Sequence, residues 1–206
     1  MSRRDVVVID SGGANLASLL FALERLQVAA EVSTDAARIR AATHVLLPGV
    51  GAAPDAMSRL RAKGLHTLIP TLTQPVLGIC LGMQLLFDAS EEAPGGNRET
   101  VGLGIVPGKV LRFPATPEHP VPHMGWNQLR PLQDDPLLEG IVEGDYVYFV
   151  HSYAAPVTSD TIASTDYGAR FCAVVKSGNF RGVQFHPERS AGVGARFLAN
   201  FIALDI

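Results

Sequence analysis

A cysteine stands between two glycines in the stretch VLGICLGMQLLF, where Gly78 and Gly82 lie two positions to either side of Cys80. The apolar residues before it predict a buried strand and those after it a helix, so Cys80 falls at the turn between them. A nucleophile at such a turn has a strained backbone, and small neighbours relieve the crowding. The pattern indicates a reactive thiol, which the N-terminus of the helix would favour as thiolate. A buried, unreactive cysteine is the alternative.

A thiolate that attacks an acyl carbon needs a base, and His186 and Glu188 in GVQFHPE are suited to supply it. At the end of a strand, side chains two positions apart share one face, so the carboxylate can orient the imidazole. His151 in YFVHSY is the rival base, although Tyr153, which follows at the same spacing, orients an imidazole less well than a carboxylate. A zinc pair is excluded because the sequence lacks the companion motif P-C-x-x-C. We expect neither a metal nor a cofactor.

The loop PGVG follows another predicted strand, and its glycines allow backbone N–H groups to approach the same edge of the sheet. Val50 and Gly51 in this loop, with Leu81 directly after the cysteine, are the predicted oxyanion-hole donors. An ordinary tight turn before a helix capped by Asp55 is the alternative interpretation of the loop. The stretch DSGGANL also follows a strand, but it lacks G-x-G-x-x-G and is interpreted as a turn.

The elements that must position these residues change in character along the chain. Short apolar runs bounded by Gly and Pro, such as DVVVID and PVLGIC, indicate parallel strands buried on both faces, and they alternate with helices. After EEAPGGNRET most of the chain is strands and turns. The sequence predicts an α/β fold with an open, mixed, mostly parallel β-sheet, flanking helices and a β-rich C-terminal half. Helices are expected over about 16–26, from 35, over 55–72 with a break near 64, and over 81–87 and 190–204.

Length and composition limit the classes of protein to which the chain can belong. Its 206 residues fit one medium domain, 1–206, and a net charge of -3 provides no basic field for nucleic acid. The first apolar run is too short for a signal sequence or a membrane span, so we expect a cytoplasmic protein with no membrane partner. Two cysteines do not make a disulfide framework, and Cys172 is expected only to pack within its strand.

Three motifs, taken in their order along the chain, carry a family resemblance. PGVG, GICLGMQLLF and GVQFHPE resemble the class I, triad-type glutamine amidotransferases, with Cys80, His186 and Glu188 at the catalytic positions. NLASL, VPHMGWNQL, YFVHSY, HPERS and FLANF further resemble the glutaminase subunits of imidazole glycerol phosphate synthase, from histidine biosynthesis. The resemblance spans nearly the entire chain and implies a class I glutamine amidotransferase fold with a flavodoxin-like core.

The resemblance implies an enzyme that hydrolyses L-glutamine to L-glutamate and ammonia through a thioester on Cys80. Gln84, Glu92, Ser152 and Tyr153 match the family positions that bind the amino-acid part of the substrate. The implied partner is a (β/α)8 cyclase subunit, in a heterodimer. That subunit uses the ammonia to make imidazole glycerol phosphate and an aminoimidazole carboxamide ribonucleotide.

Four further positions match family residues that face the cyclase: Asn15, Trp126, Tyr148 and Arg189. Arg189 stands where the family often has lysine, which keeps the charge but changes the hydrogen-bond geometry. A core tryptophan is the alternative for Trp126. Two other functions stay open, namely a thiol hydrolase of γ-glutamyl or peptide substrates that acts alone, and a binding subunit whose triad is inert.

Overall fold

The largest sheet of the computed structural model, which describes residues 4–12, 16–93 and 99–205, is mixed and mostly parallel. In spatial order its eight strands within these residues are β2 (Ala30–Ser33), β1 (Val6–Ile9), β3 (His44–Gly49), β4 (Val76–Cys80), β14 (Phe180–Val183), β13 (Ala169–Ser177), β12 (Thr161–Tyr167) and β9 (Arg130–Pro131). The strands from β2 to β14 are parallel to one another. The remaining three add antiparallel neighbours. The predicted sheet is therefore confirmed.

The parallel strands β1, β3, β4 and β14 are buried on both faces because their residues alternate between two apolar cores, whereas the edge strand β2 is partly exposed. Val6 and Val8 belong to one core, with buried residues of α1 (Leu16–Arg25) and α6 (Ala191–Ala203). Val7 belongs to the opposite core. The helices that contribute to this second core are α2 (Ala36–Ala41), α3 (Ala53–Ala62), α4 (Leu65–Leu68) and α5 (Leu81–Gln84). The continuous apolar runs of the sequence follow from this two-sided burial.

Two smaller sheets are formed by strands that lie between β4 and β12 in the sequence. An antiparallel ribbon joins β8 (His123–Gln128) to β10 (Tyr146–His151). A second sheet has the order β11 (Tyr153–Ala154), β7 (Val106–Arg112), β5 (Phe87–Ser90) and β6 (Thr100–Val101). Most elements after residue 99 are strands, which confirms the predicted β-rich C-terminal half.

The helix predicted over 81–87 is shorter than expected. It ends at Gln84, and Phe87 begins β5 by pairing with Val106 of β7. Every residue from 81 to 87 is buried, so the apolar run has no polar face from which a helical period could be recognised. Strand pairing with a segment about 20 residues away, which the local sequence does not reveal, determines where the helix stops.

The other helix predictions agree more closely with the structure. The helix expected from Asp55 begins two residues earlier, at Ala53, and the break expected near Gly64 is confirmed by a left-handed φ of 68° there. Asp35 caps α2 by accepting a hydrogen bond from the N–H of Arg38, as predicted. In the described part of the chain, no helix has the length and apolar character needed to cross a lipid bilayer.

Candidate active site

Cys80 is the last residue of β4 and immediately precedes α5, so it lies at the carboxyl end of the parallel strands. Its φ of 53° and ψ of −111° form a conformation that costs a non-glycine residue on the order of 1–3 kcal/mol. The predicted strained turn is confirmed. Because α5 is a single turn, its dipole favours a thiolate less than the longer predicted helix would.

Glycines surround this turn because no side chain fits beside it. A Cβ atom on Gly82 would lie 1.8 Å from the carbonyl oxygen of Leu47, and one on Gly78 would lie 2.7 Å from the oxygen of Gly82. Gly49, which pairs with Cys80 across β3 and β4, would bring its Cβ within 2.8 Å of the Gly82 nitrogen. The steric reason inferred from the sequence therefore holds for both glycines that flank the cysteine.

His186 follows β14, and Glu188 lies in the short 3-10 turn after it. The imidazole Nδ1 is 2.8 Å from Glu188 Oε1, and since a carboxylate only accepts, Nδ1 carries the proton. Ser190 fixes the backbone, because its hydroxyl donates to the carbonyl of His186 and accepts from the N–H of Tyr148. The structure thus brings the predicted pair into contact, with Nε2 as the free end of the ring.

Burial lowers the pKa of His186, but Cys80 and Glu188 together act more strongly and raise it to about 10. Nε2 of His186 and Oε2 of Glu188 are both buried without a partner in hydrogen-bond geometry. Buried polar atoms are nearly always paired, so two unpaired ones beside a cysteine indicate groups held ready for a reacting molecule.

The rival base, His151, is held in a neutral state. Burial, the largest effect, lowers its pKa to about 3. Its Nδ1 donates to the carbonyl of Tyr153 at 2.8 Å, and its Nε2 lies 3.1 Å from Nδ1 of His123. Both ring nitrogens are therefore already paired within the protein, which leaves His186 as the available base.

The predicted oxyanion and substrate residues line one cavity of about 680 Å³, together with Cys80, His186 and Glu188. The oxyanion candidates on its wall are Val50, Gly51 and Leu81, and the substrate candidates are Gln84, Glu92, Ser152 and Tyr153. Gly51 has a φ of 88°, which favours glycine although space around its Cβ position is open. Among the described residues, no three His, Cys, Asp or Glu side chains are grouped as a metal ion would require.

Glu92 has a structural contact that corrects the interpretation of Asp55 as a helix cap. Its Oε2 accepts the N–H of Ala53 at 2.7 Å, so a carboxylate distant in sequence caps α3. Burial raises the pKa of Glu92. Asp55 lies inside the first turn, where it only adds favourable charge.

The sequence model of the glutamine amidotransferase class-I family matches residues 7–204. Over 201 residues, 98% of each protein, the chain is 55% identical to the imidazole glycerol phosphate synthase subunit HisH of Xanthomonas axonopodis pv. citri (strain 306). The chain belongs to the class-I glutamine amidotransferases. Another similar member is the HisH subunit of Xylella fastidiosa (strain Temecula1 / ATCC 700964), which is 50% identical over 98% of both chains.

Solved structures show that the amidotransferase fold extends over nearly the whole chain. PurLQS from Thermotoga maritima superimposes with a TM-score of 0.67 at 18% identity, over 98% of both chains. A glutamine amidotransferase from the same organism superimposes with a TM-score of 0.64 at 17% identity, over 98% of this chain and 83% of that protein's chain. These likenesses confirm the predicted class I fold.

Three of the four predicted partner residues lie together on the surface of this amidotransferase. They are Trp126, Tyr148 and Arg189, and we call this cluster of two aromatic rings and one guanidinium group the aromatic row. Trp126 and Tyr148 pair across β8 and β10 with ring centres 6.0 Å apart, and the Arg189 guanidinium lies 4.6 Å from the Tyr148 ring centre. Trp126 is 52% exposed, so the alternative of a core tryptophan is wrong. The fourth residue, Asn15, lies outside the described residues.

Sequence reasoning missed Gln184, which contacts the thiol of this amidotransferase directly. Its Nε2 lies 3.7 Å from Cys80 Sγ, and its Oε1 accepts from Gln84 Nε2 at 2.9 Å. The signal was present in GVQFHPE, because Gln184 precedes His186 by two positions, and in a strand residues at that spacing share one face. In the structure β14 ends at Val183, so Gln184 and His186 lie just beyond the strand.

Proposed function

We propose that this chain is the glutaminase subunit of an imidazole glycerol phosphate synthase, and that it hydrolyses L-glutamine to L-glutamate and ammonia in histidine biosynthesis. One observation carries the catalytic proposal. Cys80 occupies a strained turn in the same cavity as His186, whose imidazole is oriented by Glu188 at 2.8 Å and has its other nitrogen unpaired. A thiol, a base and an orienting carboxylate are the parts that cysteine acyl transfer needs.

In the first half-reaction, the Cys80 thiolate attacks the side-chain amide carbon of glutamine and the carbonyl π-electrons move to oxygen. The raised pKa of His186 keeps its ring protonated at neutral pH, which suits it to protonate the departing nitrogen. The C–N bond then breaks, ammonia leaves, and a γ-glutamyl thioester remains on Cys80.

In the second half-reaction, water attacks the thioester and His186 accepts its proton. His186 can act as a base at this stage because the acylated sulfur carries no charge. Cys80 then no longer helps to raise the pKa of His186. Collapse of the tetrahedral adduct expels the Cys80 sulfur and releases glutamate. Glu188 keeps the ring oriented throughout.

The cavity walls supply the remaining functions that we assign. Backbone N–H groups of Leu81 and of the Val50–Gly51 loop stabilise each oxyanion, at about 3 kcal/mol per donor. The carbonyl oxygen of Gln84 and the carboxylate of Glu92 are suited to the α-ammonium group of the substrate. The backbone at Ser152 and Tyr153 completes the amino-acid site.

We further propose a separate (β/α)8 cyclase subunit as partner, in a heterodimer. The relatives' name, subunit of imidazole glycerol phosphate synthase, supports a second subunit. Free ammonia is mostly protonated in neutral water and then cannot attack, so direct delivery is required. The aromatic row, exposed beside the cavity to which Arg189 belongs, is the surface we assign to the cyclase. The cytoplasm is the compartment that we propose for the complex.

The test is release of glutamate from glutamine by the purified chain, alone and with an equimolar cyclase subunit and its nucleotide ligand. We expect little release from the chain alone, a large rise on mixing, and none with the Cys80→Ala variant. High activity without the cyclase would instead identify a hydrolase that acts alone. No release under either condition would identify a binding subunit with an inert triad.

A further inference from the structure

The inner face of the ribbon formed by β8 and β10 carries a pair of buried histidines. His123 and His151 are opposite each other in the register of the two strands, and Nδ1 of His123 lies 3.1 Å from Nε2 of His151. The ring of His123 is stacked between Phe149 and Tyr167, with ring centres 4.9 Å and 4.0 Å away. Neither histidine belongs to the proposed triad, so their burial requires another explanation.

Hydrogen-bond partners fix the protons of both rings. The carbonyl of Tyr153 can only accept, so Nδ1 of His151 is its donor. Burial lowers the pKa of His151 to about 3 and that of His123 to about 4, so both rings are neutral. Nε2 of His151 therefore bears a lone pair and accepts a proton from Nδ1 of His123.

Asn127 completes this arrangement at the outer end. Its Oδ1 accepts the N–H of Gln128 at 2.8 Å, and its Nδ2 donates to the carbonyl of Asp166 at 2.9 Å, so the orientation of its amide is determined. The same Nδ2 lies 3.3 Å from Nε2 of His123, the acceptor that the neutral ring leaves. Each group in this series thus donates to the next one, from the Asn127 amide through His123 and His151 to the carbonyl of Tyr153.

The series continues into the cavity through a carbonyl. The oxygen of Tyr153 accepts from His151 and, at 2.9 Å, from Nε2 of Gln84. That nitrogen also donates to Gln184, whose own amide nitrogen contacts Cys80 Sγ. Both N–H bonds of Gln84 are thereby used within the protein, and its carbonyl oxygen is the part left for a ligand in the cavity.

We propose that His123, acting through His151, is a positioning residue that holds the Tyr153 carbonyl and hence orients the Gln84 amide toward the substrate. The proposal deepens the glutaminase function and rests on it. Since β8 and β10 also carry Trp126 and Tyr148 of the aromatic row, one ribbon bears both the predicted partner surface and the positioning pair.

The first test measures the tautomers directly, by 15N NMR of the histidine rings of the intact chain at pH 7. We expect both His123 and His151 to be neutral with the proton on Nδ1. A proton on Nε2 of His123, or a charged ring at either position, would overturn the proposal. This measurement needs no variant and no turnover.

The second test separates the hydrogen bond from the stacking, in the complex with the cyclase. His123→Phe keeps an aromatic ring between Phe149 and Tyr167 but removes the donor, and we expect KM for glutamine to rise about tenfold with kcat within about threefold. His123→Asn places an amide near the original Nδ1 and should restore most of the lost affinity despite losing the stack. Tyr167→Leu weakens the stack and removes the hydrogen bond from the Tyr167 hydroxyl to the Pro120 carbonyl, but it keeps the Nδ1 donor of His123, so it should leave KM unchanged.

The outcomes distinguish this inference from the function on which it rests. An unchanged KM in His123→Phe, or an equal rise in Tyr167→Leu, would overturn the positioning role while leaving the glutaminase intact. A wild-type complex that releases no glutamate would instead refute the proposed function. The NMR measurement still decides the tautomers in that case, and also if His123→Phe does not fold.

Discussion

The two cysteines of this chain lie in the same sheet and differ in almost everything that determines reactivity. Cys80 ends a strand with a left-handed backbone, opens onto a cavity and lies beside groups with unpaired atoms. Cys172 lies within β13, fully buried, with its N–H donating to the carbonyl of Ala155 and its sulfur 3.5 Å from the carbonyl of Val174. Burial raises the pKa of Cys172 to about 12.

The comparison teaches that position in the strand, rather than the apolar character of the run, decides what a buried thiol can do. A residue in the middle of a strand has neighbours on both sides and both faces. A residue at the carboxyl end of a parallel strand has none beyond it, and this is where ligands bind in open α/β sheets. The expectation that Cys172 only packs agrees with its surroundings.

The largest effect should come from removing the reactive thiol. For Cys80→Ala we expect the rate of glutamate release to fall by a factor of about 10⁴ or more, because the thioester cannot form. The pKa of His186 should also fall, since Cys80 is one of the groups that raise it. Initial rates and NMR titration of the His186 ring measure the two effects. A fall in rate of less than tenfold would contradict the difference in reactivity that we infer between Cys80 and Cys172.

Alkylation of Cys172 at pH 8 should be slower by a factor of about 10³ than that of a thiol with the ordinary pKa of 9. Only thiolate reacts, and at that pH a group with a pKa of about 12 is ionised in about one molecule in 10⁴. Iodoacetamide followed by mass spectrometry of peptides should find Cys80 modified first, and Cys172 only after denaturation. Modification of both at similar rates in the native protein would show that burial does not protect Cys172.

The sequence predicts the turn at Cys80 well because its causes are local. Glycines at fixed distances from the thiol relieve contacts of the turn with itself and with the strand beside it. The sequence predicts His186 at the end of a strand, but β14 ends at Val183, and a short 3-10 turn brings Glu188 to His186 instead. These patterns occupy a few consecutive residues each. The roles assigned to the residues stay predictions until rates are measured.

What the sequence does not reveal depends on register between distant strands. His123 meets His151 because β8 and β10 pair at that offset, and no local pattern selects the offset. The same holds for the contact between Gln84 and Tyr153, and for the capping of α3 by Glu92. Each of these contacts joins segments that are separated by tens of residues.

Gly82→Ala should destabilise the turn that holds Cys80 while leaving the cysteine itself unchanged. The new Cβ would meet a backbone oxygen at 1.8 Å, which cannot move without displacing β3, so we expect the free energy of unfolding to fall by about 3 kcal/mol or more. Gly192→Ala is the matched control, because it lies in α6 with open space at its Cβ position and should be neutral or slightly stabilising. Urea denaturation measures both, and equal stability of the two variants would contradict the steric argument.

Cys172→Ala should give the smallest effect and one with a characteristic pH dependence. Loss of the buried sulfur should lower the free energy of unfolding by about 1 kcal/mol at pH 7, with glutaminase activity retained. The folded protein holds the thiol neutral above its ordinary pKa of 9, whereas the unfolded chain loses that proton, so the wild type loses stability as the pH rises from 9 toward 12.

The variant lacks this proton, and all other titrating groups are common to both proteins. The difference in unfolding free energy should therefore shrink above pH 9, pass through zero between pH 9 and 10, and be slightly reversed at pH 10, where ionisation of the unfolded thiol contributes about 1.4 kcal/mol. Paired urea denaturation curves at pH 7, 9 and 10 measure it. A difference that stays constant across this range would mean that Cys172 ionises as readily in the folded protein as in the unfolded chain, and the contrast between the two thiols would then rest on geometry alone.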